Sequence, residues 1–521
     1  MEAAVKLLVR NRTIRVESCT EREDRWLDAI LSIPVPGAKY SIAFQNGHWD
    51  GLKHLYKPAW GVFPTGLLPL LMSENRSRTR AFEITLVDKR RPPVLPRSGQ
   101  LSAERWERHL KRCGFEPDLE RCRYQVQGIE TILNSYFGEL QWPRGIIQLP
   151  TGSGKTLLAA GFLWWMRIPR TVLLVNRLDL LLQTRDVFEK VLGRKVGVYG
   201  GGKQELRDVT VATVQTLGAR LHPTKGDPDL LAWVAGVEVL IVDECHKVSD
   251  NAYLQIMDKV PAYYRLGLSA TPLKRGDAGD AILVGSTGDV IFSLRAQDLS
   301  AAGLLATPLV EMLPIHSPVV DVTPPKFQFN AWKRQSAHGT YYRQVYKYGI
   351  SENETRNMAI ASRVADELSK KRPTMVLVKL IKHGHIIKEC LASLGVDAEF
   401  LKGDDPVAYR RELVTKFKSG IIDVLIASTI FDEAVDIPNI QALVLAAGGA
   451  SPIKAIQRVG RGMRAKGGEN RLYVTDFLDL THKLLKEHSL RRAEIYHAQG
   501  YEIKDAKQAK LELPLPSRKH A

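Results

Sequence analysis

Two glycines, a lysine and a hydroxyl residue fall together in Leu149-Pro150-Thr151-Gly152-Ser153-Gly154-Lys155-Thr156. Gly152 and Gly154 let backbone N–H groups turn inward around an anion, with Pro150, Thr151 and Ser153 completing the loop. A helix starting at Lys155 adds the positive end of its dipole. Lys155 then supplies a point charge for β- and γ-phosphates, and the Thr156 hydroxyl a ligand for Mg²⁺. The apolar run Gly145 to Leu149 before the loop reads as a strand and Leu157 to Leu163 after it as a helix, which is the setting a phosphate-binding loop requires. Leu149 stands where the general pattern has its first glycine. Upstream, Tyr124-Gln125 opens a helix, and the Gln125 amide offers a paired donor and acceptor to an adenine edge.

A second cluster follows the apolar run Val237 to Val242, which ends on Asp243-Glu244-Cys245-His246. Carboxylates at the carboxyl end of a strand beside a phosphate loop have defined roles, in which Asp243 holds Mg²⁺ directly or through water and Glu244 polarises the attacking water. His246 either couples the nucleotide to the next motif or is a packed histidine. Leu266-Gly267-Leu268-Ser269-Ala270-Thr271-Pro272 ends another strand, where Ser269 and Thr271 could relay the state of the phosphates through hydrogen bonds. ATP and Mg²⁺ are the cofactors these residue types imply.

The elements that must position these groups alternate. Thr171 to Val175, Val209 to Thr213 and Val237 to Val242 read as buried strands between helices, a doubly wound α/β pattern. Thr374 to Lys379, Asp397 to Leu401, Asp423 to Ser428 and Ala442 to Ala447 repeat it, with helices expected at 353–370, 382–394, 406–418 and 452–464. Ahead of both lies a small α+β segment, 1–95. Val5 to Val9 and Thr13 to Val16 form a hairpin there, and Thr20 to Glu23 a capping box. Tyr40 to Gly51 reads as an extended run ending in an aromatic loop. Trp49, among Lys53, Lys57, Arg76, Arg78 and Arg80, either stacks on bases or fills a small core.

Three prolines mark Lys89 to Arg97 as a linker, and the expected division is 96–120 linker, 121–306 first α/β domain, 307–350 connector, 351–485 second α/β domain and 486–521 helix and tail. The connector interleaves Phe327, Phe329, Trp332, Tyr341, Tyr342, Tyr346 and Tyr348 with bases, a pattern equally suited to clamping a strand or to packing. The chain of 521 residues carries 74 Lys and Arg against 57 Asp and Glu, a net +17 that favours a polyanionic partner. Five scattered cysteines without a C-x-x-C pair argue against disulfides and structural zinc. With no apolar run near a membrane span and an acidic start, a cytoplasmic monomer off the membrane is expected.

The spelling and order of LPTGSGKT, DECH and LSATP resemble the superfamily 2 DExH-type helicases. The resemblance implies two RecA-like doubly wound parallel-sheet domains with ATP in the cleft between them. Thr429 to Ile437 resembles motif V, with Ala434 in place of the usual glycine and Asp436 at an ATP-binding position. Gln457-Arg458-Val459-Gly460-Arg461-Gly462-Met463-Arg464 is similar to motif VI, with Arg461 and Arg464 as arginine fingers and Gln457 orienting phosphate or water. Arg177, Gln215, Thr216, Lys402, Gly403 and Thr429 match positions that touch nucleic acid in similar helicases. Ala43 to Gly51 and Phe63 to Leu67 look like the N-terminal domain of the phage UvsW-type branch-migrating recombination helicases. That implies remodelling of branched, double- and single-stranded DNA, alongside recombination or single-strand-binding proteins, in the host cytoplasm. Leu273-Lys274-Arg275-Gly276-Asp277 is similar to a loop of XPB-type repair helicases, with Gly276 replacing its central acid. XPB-like strand separation, a restriction or defence motor and an RNA-directed ATPase are the alternatives. An arginine finger is worth about 10³ to 10⁵ in rate. Arg461→Ala is therefore expected to lose at least about a thousandfold in turnover while still binding ATP, as read by steady-state hydrolysis and equilibrium nucleotide titration.

Overall fold

The computed structural model describes residues 5–79, 81–90, 96–137, 142–167, 169–221, 226–248, 251–273, 278–317, 320–322, 331–428, 440–449 and 470–504. The chain divides into two compact units, one of Met1–Pro150 and Gly154–Leu294 and the other of Thr151–Ser153 and Arg295–Ala521.

Alternating apolar residues at the start build the expected hairpin, β1 (Val5–Val9) and β2 (Thr13–Ser18). They are followed by β3 (Ser32–Pro34), β4 (Leu52–His54), β5 (Val62–Pro64) and β6 (Ile84–Asp88). The sheet order is β5-β2-β1-β6, with β3 and β4 paired apart from it. The helix Glu21–Ile30 starts at a complete capping box: Thr20 Oγ1 accepts from the Glu23 amide, and Glu23 Oε2 accepts from the Thr20 amide.

Tyr40 to Gly51 is not extended. It holds a 3₁₀ turn at Ala38–Tyr40 and a helical turn at Ile42–Gln45. Left-handed glycines bracket it, Gly37 at φ 78° and Gly51 at φ 82°, so the chain closes on local hydrogen bonds instead of finding a strand partner.

Docking ties this small sheet to the next. Gly66 sits so close to the helix Ala278–Thr287 that a Cβ there would strike the Val284 and Gly285 carbonyls. Asn11 Nδ2 donates to the Pro261 carbonyl at 2.8 Å, and the buried Arg144 guanidinium donates to the Asn11 carbonyl.

The segment 96–120, expected as a linker, carries the helix Ala103–Arg112, and its Trp106 is fully buried. The helix Leu119–Phe137 begins five residues ahead of Tyr124. Of the proline-rich stretch, residues 91–95 lie outside the described residues.

Next come β7 (Arg144–Gln148), β8 (Thr171–Val175), β9 (Gly197–Gly200), β10 (Lys203–Glu205), β11 (Val209–Thr213), β12 (Val239–Asp243), β13 (Tyr264–Ser269) and β14 (Val290–Ser293). Their order is β10-β9-β11-β8-β12-β13-β7-β14, parallel throughout except β10. β-branched and aliphatic runs form these strands because both faces are covered. Leu173, Val211, Val239 and Ile241 enter one core, and Val172, Ala212, Leu240 and Val242 the other.

The second unit is a parallel sheet of β15 (Thr307–Ile315), β16 (Thr374–Leu377), β17 (Glu399–Leu401), β18 (Val424–Ala427), β19 (Ala442–Val444), β20 (Arg471–Asp479) and β21 (Glu502–Lys504), in the order β17-β18-β16-β19-β20-β15-β21. The helices Glu354–Ser369, Ile381–Ser393 and Val407–Lys418 match expectation closely. Two boundaries move. Residues 307–315, expected as connector, are a nine-residue strand in register with β20, and β21 carries the domain past 485 to residue 504. Pro308 and Pro314 disguise that strand, and both fall outside the three positions that pair with β21. Each unit thus contains a RecA-like doubly wound sheet, and the first also carries the small α+β domain.

Motif V (Thr429 to Ile437), the 452–464 helix with Gln457, Arg461 and Arg464, and Lys274 to Asp277 lie outside the described residues. No described helix is long and apolar enough to cross a membrane.

His54 on β4 is held between two carboxylates, Nδ1 at 2.8 Å from Asp28 and Nε2 at 2.8 Å from Asp50. These hydrogen bonds, Asp28's first, raise its pKa above 6.5. A raised folded pKa means that the clamp is fully present below pH 6.5 and is lost as pH rises through the higher folded value. Protection of the amides at residues 46–54, measured relative to intrinsic exchange at each pH, is expected to fall from pH 6 to 8.5, and His54→Gln to remove that fall.

Candidate nucleotide site

The phosphate loop leaves the carboxyl end of β7 and enters the helix Lys155–Trp165. Gly152 and Gly154 adopt φ 83° and 87°, which side-chain-bearing residues rarely hold, so the backbone N–H groups ahead of the helix can converge. Lys155 Nζ donates to the Leu149 and Pro150 carbonyls at 3.0 and 3.2 Å.

In-register pairing brings the remaining groups level with this loop. Asp243 ends β12 opposite Leu268 of β13, and Ser269 of β13 lies opposite Gln148 of β7. Ligands of open parallel sheets collect at such carboxyl ends. Glu244 turns the chain there in a left-handed conformation, φ 52°, and its amide donates to Asp243 Oδ1 at 3.0 Å. Burial, then the charge of Glu244, pushes the Asp243 carboxyl up to about 6, with Lys155 pulling the other way. His246 Nδ1 lies 3.1 Å from Ser269 Oγ and 3.3 Å from Glu244 Oε2. Ser269 Oγ in turn accepts from the Thr271 amide at 3.1 Å. His246 is thus packed, within reach of both Glu244 and Ser269. Thr271 Oγ1 is buried with no partner among the described residues.

Gln125 is buried, and its Nε2 lies against Gly154, where a Cβ would come within 2.7 Å. Its Oε1 accepts from the Trp106 indole at 2.8 Å. Sequence reasoning missed Trp106 because the linker reading hid its helix.

The nucleic-acid candidates divide. Arg177 and Gln215 follow β8 and β11, paired neighbours whose last residues, Val175 and Thr213, are level, and Gln215 Nε2 donates to the Asn176 carbonyl at 3.3 Å. Thr216 accepts from Thr213 at 2.9 Å. Lys402 and Gly403 follow β17, where the Lys402 amide donates to Asp405 at 2.6 Å. Thr429 lies outside the described residues. Trp49 is half-buried, with its indole N–H donating to the Leu52 carbonyl at 2.7 Å. Among the described residues of the small domain Phe44 is exposed, and Trp60 more so at 69%, with Lys57 Nζ 5.2 Å from its ring centroid. Its place between Pro58 and Gly61 in a turn was the signal available in the sequence.

In the second unit Tyr341, Tyr342 and Tyr346 pack with Ile350 and Leu485, which favours packing over a strand clamp for these three. Phe327 and Phe329 lie outside the described residues. Three buried or half-buried groups, none foreseen, bind the turn after β19. Arg356 donates to the Ala446 carbonyl at 2.8 Å, Tyr346 to Ala447 at 2.7 Å and Arg492 to Gly449 at 2.7 Å.

Comparison with known proteins adds to this geometry. Residues 118–274 match the family "Type III restriction enzyme, res subunit", and residues 357–466 match "Helicase conserved C-terminal domain". The chain belongs to the superfamily 2 helicases. It is 28% identical over 348 residues to a protein of Halobacterium salinarum named Rad25, covering 63% of this chain and 51% of that one. It thus spans about half the length of that relative. Over 376 residues it is 26% identical to the DNA 3′-5′ translocase XPB2 of Sulfurisphaera tokodaii, covering 67% of this chain and 80% of that one. The crystal structure of T4 UvsW aligns with 96% of this chain and 98% of its own at 18% identity, with a TM-score of 0.43.

ATP and Mg²⁺ suit the residues of this helicase. Left-handed glycines precede a helix start, a Gln125 amide nitrogen without a partner among the described residues faces the loop, and Asp243 holds a raised pKa that a divalent cation would relieve. An acid whose folded pKa is raised destabilises the fold once pH passes its unfolded value, and does so fully above the folded one. Asp243→Asn is therefore expected to melt higher than the parent at pH 8 in nucleotide-free buffer, to lose that advantage near pH 4, and to abolish ATP turnover; calorimetry and a phosphate-release assay check it.

Proposed function

We propose that this helicase is an ATP-driven DNA motor of the XPB kind, translocating 3′ to 5′ and separating or remodelling strands in repair. The juxtaposition of Lys155, Asp243 and Glu244 at the ends of β7 and β12 carries the ATPase half of the reading. The Rad25 and XPB2 similarities support the DNA half. Bound Mg·ATP supplies the anhydride that is split and the cation that neutralises its oxygens.

The chain's own groups supply the rest. With Mg·ATP bound, Lys155 would exchange its two carbonyl partners for phosphate oxygens, and Thr156 and Asp243 would hold the cation. Glu244 takes the proton of the attacking water. His246, within reach of both Glu244 and Ser269, couples the acidic pair to the turn ending at Thr271. Arg461, Arg464 and Gln457, outside the described residues, remain the sequence-derived candidates for stabilising charge on the γ-phosphate. At the ends of β8 and β11, Arg177, Gln215 and Thr216 form one edge suited to a strand's phosphates, and Lys402 and Gly403 supply a second in the other unit.

A second reading, branch migration and fork regression of the UvsW type, draws on the small N-terminal domain. Its docked sheet and the exposed Trp60 beside Lys57 suit a module that grips DNA ahead of a motor. ATP turnover measured with single-stranded DNA, duplex, a four-way junction and RNA separates these readings. The proposal expects stimulation of at least about tenfold by DNA, lost in Lys155→Ala and falling with salt as phosphate contacts are screened. Preference for the junction with ATP-driven branch migration favours the second reading. Stimulation by RNA alone, or none, removes both.

A further inference from the structure

We infer that Trp106 is a positioning residue for nucleotide recognition, holding the Gln125 amide so that its nitrogen, and not its oxygen, faces the phosphate loop. This rests on the ATP reading above and deepens it.

An indole N–H can only donate. Trp106 Nε1 meets Gln125 at 2.8 Å, so the atom it meets must be the amide oxygen, and the orientation of the amide follows from the chemistry of its neighbour. The NH₂ group is thereby turned to Gly154, against which it packs. Both side chains are almost completely buried, and the Gln125 nitrogen has no partner among the described residues. A buried amide nitrogen without an acceptor is unfavourable until one arrives.

The indole is itself held from the nucleotide side. Gly161 lies two turns into the helix that begins at Lys155, and a Cβ there would come within 3.0 Å of the Trp106 ring. On the other side the ring neighbours His109 and Trp164, each with centroids 5.7 Å away. Ser102 caps the Trp106 helix by accepting from the Arg105 amide at 3.2 Å. The amide's orientation is thus set by a helix outside the sheet that packs directly on the phosphate-loop helix.

The ligand group this arrangement selects is an acceptor. On an adenine nucleotide the major candidate is ring nitrogen N7, which 7-deaza-ADP lacks while keeping the same shape and the same exocyclic amine. Without the indole, the amide can flip and present oxygen, which repels N7.

The test compares Mg·ADP and Mg·7-deaza-ADP affinity by calorimetry in the full chain, its Trp106→Phe variant, Gln125→Ala and the double variant. Trp106→Phe removes the donor and shrinks the buried indole to a single aromatic ring. The parent is expected to prefer ADP by roughly tenfold, about what one hydrogen bond to a buried donor confers. Trp106→Phe should retain less than about a third of that preference, and the loss should appear in KM for ATP more than in kcat. The double variant should be no worse than Gln125→Ala, as for residues acting through one group. Full preference in Trp106→Phe alongside its loss in Gln125→Ala overturns the inference, and so do losses that add in the double variant. Should Trp106→Phe not fold, the Trp106 indole N–H resonance of the parent is read instead. It should shift with ADP and not with 7-deaza-ADP, and an equal response to both overturns the inference. A parent that binds neither nucleotide removes the ATP reading as well, whereas ADP binding with preference untouched in Trp106→Phe removes this inference alone.

Discussion

Backbone N–H groups can converge on an anion only where the chain turns through conformations closed to most side chains. Gly152 and Gly154 make that turn at φ 83° and 87° on the carboxyl end of β7. The remaining chemistry depends on being level with it. In-register parallel pairing of β12 with β13 and of β13 with β7 brings Asp243, Ser269 and the loop to one edge of the sheet. A one-residue slip in either ladder would turn these side chains to the opposite face and separate the acidic pair from Lys155.

The opposite end of the same strands carries another burden. Arg144 and Arg265, at the start of β7 and on β13, are buried side by side, and burial first, then their mutual repulsion, holds the Arg144 guanidinium well below its ordinary pKa. Carbonyl oxygens stabilise them in place of carboxylates. Arg265 donates to Met257 and Val260 at 3.0 and 2.9 Å, both arginines donate to Ser286, and Arg144 also donates to Asn11. The small N-terminal domain therefore completes the solvation of a charge at the foot of the phosphate-loop strand. Its position and that strand's are linked through a contact that is costly to leave unmade.

The second unit uses paired charges for a related purpose. Arg356 meets Asp479 at 2.7 Å and Arg492 meets Asp476 at 2.8 Å, all four nearly inaccessible to water. The same two arginines also donate to the Ala446 and Gly449 carbonyls, and Tyr346 donates to the Ala447 carbonyl. Buried pairs of this kind add little net stability over apolar packing but disfavour alternative arrangements. Here they define the turn that precedes the segment with the candidate arginine fingers.

Sequence alone determined the chemistry and the class: the glycine-lysine-threonine loop, Asp243-Glu244, the hydroxyl turn at Ser269 and Thr271, and most strands and helices of both RecA-like sheets. Those signals are local, because a phosphate loop, a capping box or a buried strand is written within a few consecutive residues. Tertiary structure decided what distant residues do to each other. Trp106 reaches Gln125 across 19 positions, Arg356 reaches Ala446 across 90 and Tyr346 reaches Ala447 across 101. It also left Trp49 half-buried and Trp60 exposed, and it made a strand of Thr307–Ile315 despite two prolines, because β20 offered nine residues to pair with. Local propensity carries no information about which partner the folded chain brings alongside, and pairing and burial outweigh it where such a partner exists.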